Sequence, residues 1–430
     1  MLSQTNYSQL NSKSNSWKKL LCQNYNRGYQ YYLELFKDDY PKKSVRGKSL
    51  YLYTNTSYDL EHEQYIFYSF DMVDIGRPVA LGESDYLLVE GVRINYCTFQ
   101  NCNIKNIIFR KCSFSGSSFT DVRFDNVIFD SCLFTVPVME KGKSSIEDTY
   151  YAPTIFKTCI FVGRFSNCDT EHVLFEKTCF TLTKFENSSL QNSVFDTCAL
   201  YSIDIKDCNL CDFSICNTDV LDLSFSDERK STVNENTFID YKINTKKAWK
   251  GKSITTESGW KPSSFDSMCL EKAKSIKAIS RLFELNNLSD ISGEYFYQSK
   301  LIEYKALRKF QKLISTFGLV SCGYGERPLF TMITILATTF IFGLIYMFTG
   351  ISADGCNIHY TLVGGYPVDF ITAIADYGQC LYFSVITGTI GYGNYDPIGI
   401  LTKVISSFHM IFGIGLFSLW TGCIFRKIAR

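Results

Sequence analysis

Every fifth residue from Val89 is large and apolar: Val89, Ile94, Phe99, Ile104, Phe109, Phe114, Phe119, Phe124, Phe129 and Phe134. The residue two places before each is small or apolar, as in Cys97, Cys102, Cys112, Ser117, Val122 and Cys132. The period resumes at Phe165 and runs to Phe225 through Phe175, Phe180, Phe185, Leu190, Phe195, Leu200, Ile205, Leu210, Ile215 and Val220, with Thr170 the one exception. A helix repeats at about 3.6 residues and a strand at about 2, so neither produces this spacing. Repetition at a fixed period points to stacked coils sharing one continuous core. Between the two runs, residues 137–153 hold Lys141, Lys143, Glu147 and Asp148 and read as an exposed loop. Phe156 and Phe161 keep the period one step out of phase with Phe165, so one residue is missing there.

This pattern resembles the pentapeptide-repeat family. The resemblance implies a right-handed quadrilateral β-helix with four pentapeptides per coil, over residues 89–225. Coils stack at the strand spacing of about 4.8 Å, so five or six of them make a rod on the order of 25–30 Å long. Eight cysteines occupy the small inward position, among them Cys97, Cys102, Cys112, Cys132, Cys198 and Cys208. Cysteine packs as a small buried side chain, and histidine is almost absent from the repeats, so no metal site is expected there. Residues 1–19 are polar and lack an apolar stretch of signal-peptide kind; with 17 cysteines in the chain, this reads as free thiols in a reducing compartment.

The carboxyl-terminal part is different. Residues 329–353 and 404–425 carry no charged side chain. About 20 residues of helix, rising about 1.5 Å each, cross a bilayer core, and backbone in lipid must pair within its own segment. Both runs therefore read as membrane helices. Lys300, Lys305, Arg308, Lys309, Lys312 and Arg327 precede the first, and Arg426, Lys427 and Arg430 follow the second. Basic excess lies on the cytoplasmic side, which places both termini inside and residues 354–403 outside.

That outer segment contains Thr389-Ile390-Gly391-Tyr392-Gly393, which resembles the selectivity filter of potassium channels. The resemblance implies a homotetramer, each subunit supplying a quarter of a ring of oxygens, with K+ as the permeant ion. Stacked carbonyls replace an ion's water shell, and Gly391 and Gly393 permit the left-handed backbone this requires. The stretch before the filter reads as a short pore helix with Asp376 as its amino-terminal cap and its carbonyl end aimed at the ion path. Asp376, Tyr382, Thr387 and Asn394 are candidates for support around the filter. Two positions depart from the usual pattern: Asn394 stands where an Asp is usual, and Gly388 where a second Thr is frequent. Neither removes an ion-coordinating group. Gly413 and Gly415 in the second span serve either as gating hinges or as sites of close helix packing. A second triplet, Gly323-Tyr324-Gly325, precedes the first span and reads as a turn.

The sequence thus predicts a multidomain chain. Residues 1–88 form a cap region, 89–225 a cytosolic pentapeptide-repeat β-helix, 226–325 a helical linker and adaptor, and 326–430 a two-span α-helical pore domain with pore helix and selectivity filter. Apolar residues from Ile276 to Leu313 at helical spacing predict two antiparallel adaptor helices broken near Asn286, Asn287 and Gly293. The basic part of that adaptor either docks on anionic lipid heads or is a solvated face. The chain reads as a potassium channel subunit in the cell's inner membrane, gated or scaffolded by its solenoid, in contact with lipid and with an unidentified cytosolic ligand or protein. A net charge of +1 gives no steering toward nucleic acid. His62, His172, His359 and His409 are scattered, and no metal, cofactor or catalytic cluster is expected. The alternative is a membrane-tethered interaction protein of DNA-mimic type, since residues 165–225 carry ten acidic and three basic side chains.

Overall fold

The computed structural model describes residues 4–47, 49–51, 65–140, 149–227, 231–240, 265–353, 355–360, 369–389 and 395–428. The chain divides into two compact units, Met1–Ala306 and Leu307–Arg430.

In the first unit the five-residue period becomes a parallel β-helix. Strand partners are twenty residues apart: Phe99 lies beside Phe119, Phe109 beside Phe129, Phe165 beside Phe185 and Phe175 beside Phe195. One coil is therefore four pentapeptides. The phenylalanines stack in columns. In the longest, Phe70, Phe99, Phe119, Phe156, Phe175 and Phe195 follow one another with ring centroids 4.6 to 4.8 Å apart, the spacing of neighbouring strands.

The eight inward cysteines are buried beside these columns. Their thiols donate to backbone carbonyls of the preceding coil, as in Cys132 Sγ to Phe109 O at 3.2 Å and Cys198 Sγ to Phe175 O at 3.3 Å. Burial pushes the Cys97 thiol up to about 12. No metal-binding cluster of His, Cys, Asp and Glu occurs among the described residues.

The corners between strands are left-handed. Positive φ recurs at five-residue intervals, at Asn101, Asn106, Lys111, Asp121, Asn126, Asn187, Asn192, Asp207, Asp212 and Asn217 among others. Asn and Asp accept that conformation at least cost among non-glycine residues.

Three features differ from the sequence reading. Coils begin before residue 89: Lys43–Arg46 pairs with Tyr68–Asp71, and Phe70 with Phe99. Inserted residues lengthen that spacing to 29, which hides the period. Residues 137–153 are more than a loop. Thr135–Val138 and Tyr150–Pro153 form an antiparallel hairpin with Val138, Tyr150 and Ala152 buried; its tip, residues 141–148, lies outside the described residues. The missing residue is absorbed at Gly163, which pairs with Val127 across a register shift. A Cβ there would lie 2.0 Å from the Val127 carbonyl oxygen.

Helix α1 (Gln4–Phe36) packs on the outer face of the coils. Leu21 is buried against Ile155, Leu174 and Val194, each one residue before a core phenylalanine. Lys18 Nζ reaches Glu176 at 2.7 Å and Asp196 at 2.5 Å, and Trp17 Nε1 donates to Asn192 O at 2.7 Å. His172 is buried beside α1, its ring 4.0 Å from Tyr151 and 5.9 Å from Trp17 between centroids. Burial drives its pKa down from 6.5 to about 4. A depressed histidine leaves the unfolded chain as the better proton acceptor, so stability is lost as pH falls from 6.5 toward 4. The loss expected is about 3 kcal/mol. His172→Asn, which suits the left-handed corner that Asn192 and Asp212 occupy on later coils, is expected to remove this component. Thermal unfolding of the full chain at pH 7.5 and 5 checks it; equal acid sensitivity in the variant contradicts the assignment.

The last coil is closed by α2 (Phe265–Leu285) and α3 (Ser289–Ala306). They bury Ile276, Ile279, Leu282, Phe283 and Tyr295 in the solenoid core. Exposed edge groups would invite pairing with another chain; here Tyr295 Oη bonds both the Ile239 N–H (3.1 Å) and its carbonyl (2.8 Å). The adaptor is thus three helices, not two, and it does not stay together. Gly293 is buried inside α3. The third helix, α4 (Lys309–Cys322), belongs to the second unit.

The second unit continues with a 3-10 turn, Gly323–Gly325, as its glycines and the positive φ of Tyr324 require. Then come α5 (Pro328–Thr349), α6 (Phe370–Thr389) and α7 (Ile400–Ile428). Helices α5 and α7 are long and apolar enough to cross a membrane. A small antiparallel sheet joins Ile351–Ala353 to Cys356–Ile358 and to Tyr395–Pro397.

Candidate functional site

Helix α6 lies in sequence between the two membrane-length helices and ends at Thr389, the first residue of the filter-like motif. Ile390, Gly391, Tyr392, Gly393 and Asn394 lie outside the described residues. The chain returns at Tyr395, which pairs with Ala353 at the end of the first span. In sequence the motif therefore lies between the end of a helix and the start of a strand. The last turn of α6 has no basic side chain, so nothing in that turn offsets the partial negative charge of its carbonyl end.

Asp376 is not the helix cap. The helix starts six residues earlier, directly after Asp369, whose carbonyl accepts from the Ala373 N–H at 3.0 Å. The apolar segment 370–375 continues the helix, and an acidic residue alone does not fix a start. Asp376 instead accepts a 2.6 Å hydrogen bond from Tyr360 Oη. Tyr395 Oη bonds Gln379, and the Tyr382 ring lies 5.3 Å from that of Tyr395. The segments that follow the first span and precede the second thus contact α6 through tyrosines. Thr387 is fully buried, and its hydroxyl has no hydrogen-bond partner among the described residues. Thr389 Oγ1 donates to Val385 O at 2.7 Å, turned back into the helix.

The end of α6 packs directly on α7. A Cβ on Gly413 would lie 2.3 Å from Gly388 O and 2.8 Å from Gly388 Cα. Gly413 is thus a close-packing position. Gly415 faces no atom within 4 Å of its Cβ direction. Beside Gly388 stands His409, buried on α7, with Nδ1 3.0 Å from Tyr346 Oη and its ring stacked 3.9 Å from Phe342. Sequence reasoning did not single out His409, Tyr346, Gln379 or Tyr360. The signal for His409 was available, because an ionisable residue inside an apolar span needs a partner.

A family model for pentapeptide repeats matches residues 94–137, and one for ion channels matches residues 334–430. No curated protein matches the chain. Among solved structures, a trypsin-treated form of QnrB1, a plasmid-mediated fluoroquinolone resistance protein, is 14% identical over 45% of this chain and 92% of its own, with a TM-score of 0.23. Full-length QnrB1 is 13% identical over 34% of this chain and 94% of its own, with a TM-score of 0.12. The chain is a membrane protein that joins pentapeptide repeats to an ion channel domain in one polypeptide.

Proposed function

We propose that the protein is a subunit of a potassium-selective channel, assembled as a homotetramer around a filter of Thr389, Ile390, Gly391, Tyr392 and Gly393. Four copies of the motif form stacked rings of carbonyl oxygens that replace the hydration shell of K+. Helix α6 is the pore helix, and its carbonyl end faces the ion path. The observation that carries this reading is the ending of α6 at Thr389, between two helices of membrane length, with no cationic side chain in its last turn. In this reading both termini and the β-helix, right-handed and four-sided, lie in the cytoplasm, and the spans cross the cell's inner membrane. Helix α4 supports that placement. It exposes Phe310, Leu313, Ile314, Phe317 and Val320 and carries Lys309 and Lys312, a pattern that suits anionic lipid heads. In this reading the solenoid gates or scaffolds the pore.

Recordings from the full chain in bilayers, with opposed potassium and sodium gradients, test the proposal. The reversal potential is expected to follow potassium. A reversal potential indifferent to potassium, or flux unaltered by a bulky residue at Gly391 in an assembled channel, overturns it.

A further inference from the structure

Gly388 has no side chain, and the space beside it is filled from another helix. A Cβ on Gly388 would lie 3.2 Å from His409 Nε2 and 3.6 Å from its Cε1. The first distance is tighter than ordinary van der Waals contact. The imidazole is only 2% exposed. Three contacts fix it: the hydrogen bond to Tyr346 Oη on α5, the Phe342 ring stacked at an interplanar angle of 3°, and the Gly388 backbone on α6. One turn further along α7, Gly413 holds the Gly388 carbonyl at close range. A polar ring buried in an apolar span is costly unless paired. A leucine would fill volume equally well, but it would not be held in one orientation by a hydrogen bond. The wall that α5 and α7 present to the last turn of α6 is therefore rigid and shaped, and it stands one residue before Thr389.

We infer that His409 is a positioning residue for ion selectivity: tethered to Tyr346, it takes the place of a side chain at residue 388 and fixes the end of α6 from which the filter begins. A filter discriminates between ions through oxygen positions, and such sites work only when their supports are locked. His409 touches no ion; it acts through Gly388 and Thr389. The inference rests on the potassium-channel reading given above.

The test is a complementary exchange in the full chain, comparing His409→Val, Gly388→Thr and the pair of substitutions together. His409→Val leaves a void, and Gly388→Thr collides with the ring. Each is expected to lower the potassium-over-sodium permeability ratio about tenfold, and the pair to return it to within about threefold of wild type, as expected for groups in direct contact. Thermal unfolding in detergent is measured on the same proteins. Single variants with an unchanged ratio, or a pair whose losses simply add, overturn the inference while a selective wild type leaves the channel reading standing. Where a single variant does not assemble, the pair decides: recovered assembly and selectivity support the inference, and failure of both overturns it. A wild type that ignores potassium overturns the channel reading, and with it the selectivity role. Unfolding then shows separately whether the two positions compensate.

Discussion

Gly413→Ala is expected to abolish conduction and to destabilise the second unit by about 2 kcal/mol, the range of overpacked interiors. The methyl group would sit 2.3 Å from the Gly388 carbonyl oxygen and 2.8 Å from its Cα. Both atoms are backbone, so no side chain can rotate away; α6 or α7 must move. Small residues let membrane helices approach this closely, and here the approach positions the turn that ends at Thr389. Gly415→Ala provides the contrast. Its Cβ meets nothing within 4 Å, and alanine is the better helix former by about 1 kcal/mol. That variant is expected to assemble and unfold like wild type or slightly better. A changed open time in Gly415→Ala, with unaltered selectivity, assigns the hinge to that residue. Single-channel recording with thermal unfolding in detergent checks both; a Gly413→Ala channel that conducts and melts like wild type contradicts the packing role.

Phe156→Ala is expected to cost about 4 kcal/mol and to divide the unfolding of the β-helix into two steps. The ring is wholly buried. It stacks between Phe119 and Phe175 at 4.8 Å on each side and touches Phe124, Phe134 and Phe161. Truncating a phenylalanine at such a site loses transfer free energy and leaves a cavity, about 3–5 kcal/mol in all. The position matters as much as the size. Each coil of a solenoid contacts only its neighbours, so a defect in the middle weakens the coupling between its two ends. Residue 156 also lies directly after the inserted hairpin, where coil partners are 37 residues apart rather than twenty. Chemical unfolding of the full chain, followed by hydrogen exchange on each side of residue 156, reads the outcome. One sharp transition shifted by less than about 1 kcal/mol contradicts the account.

The cap that closes the last coil shows where reading the sequence stopped short. Ile276, Ile279, Leu282 and Phe283 repeat at helical spacing and identify a buried face, but not what that face covers. Only the fold gives α2 and α3 to the solenoid and α4 to the pore unit. Asp376 shows the opposite error: a favourable capping residue placed the helix start six residues late, because the helix continues through an apolar stretch with no stop signal of its own. Ile155, Leu174 and Val194 pack on Leu21, a partner more than a hundred residues away in the chain that no repeat pattern points to.

The sequence by itself determined the coil, the spans and the motif. A period of five has one stacking solution, uncharged runs of this length have few uses outside a bilayer, and a glycine-punctuated Thr-Ile-Gly-Tyr-Gly limits what its backbone can do. Each of these is local, carried by residues near one another in the chain. Tertiary structure alone decided the rest: that Gly163 absorbs the lost residue, that Gly413 meets Gly388, and that His409 occupies the space beside it. These depend on close approach between distant segments, which residue type and spacing do not encode.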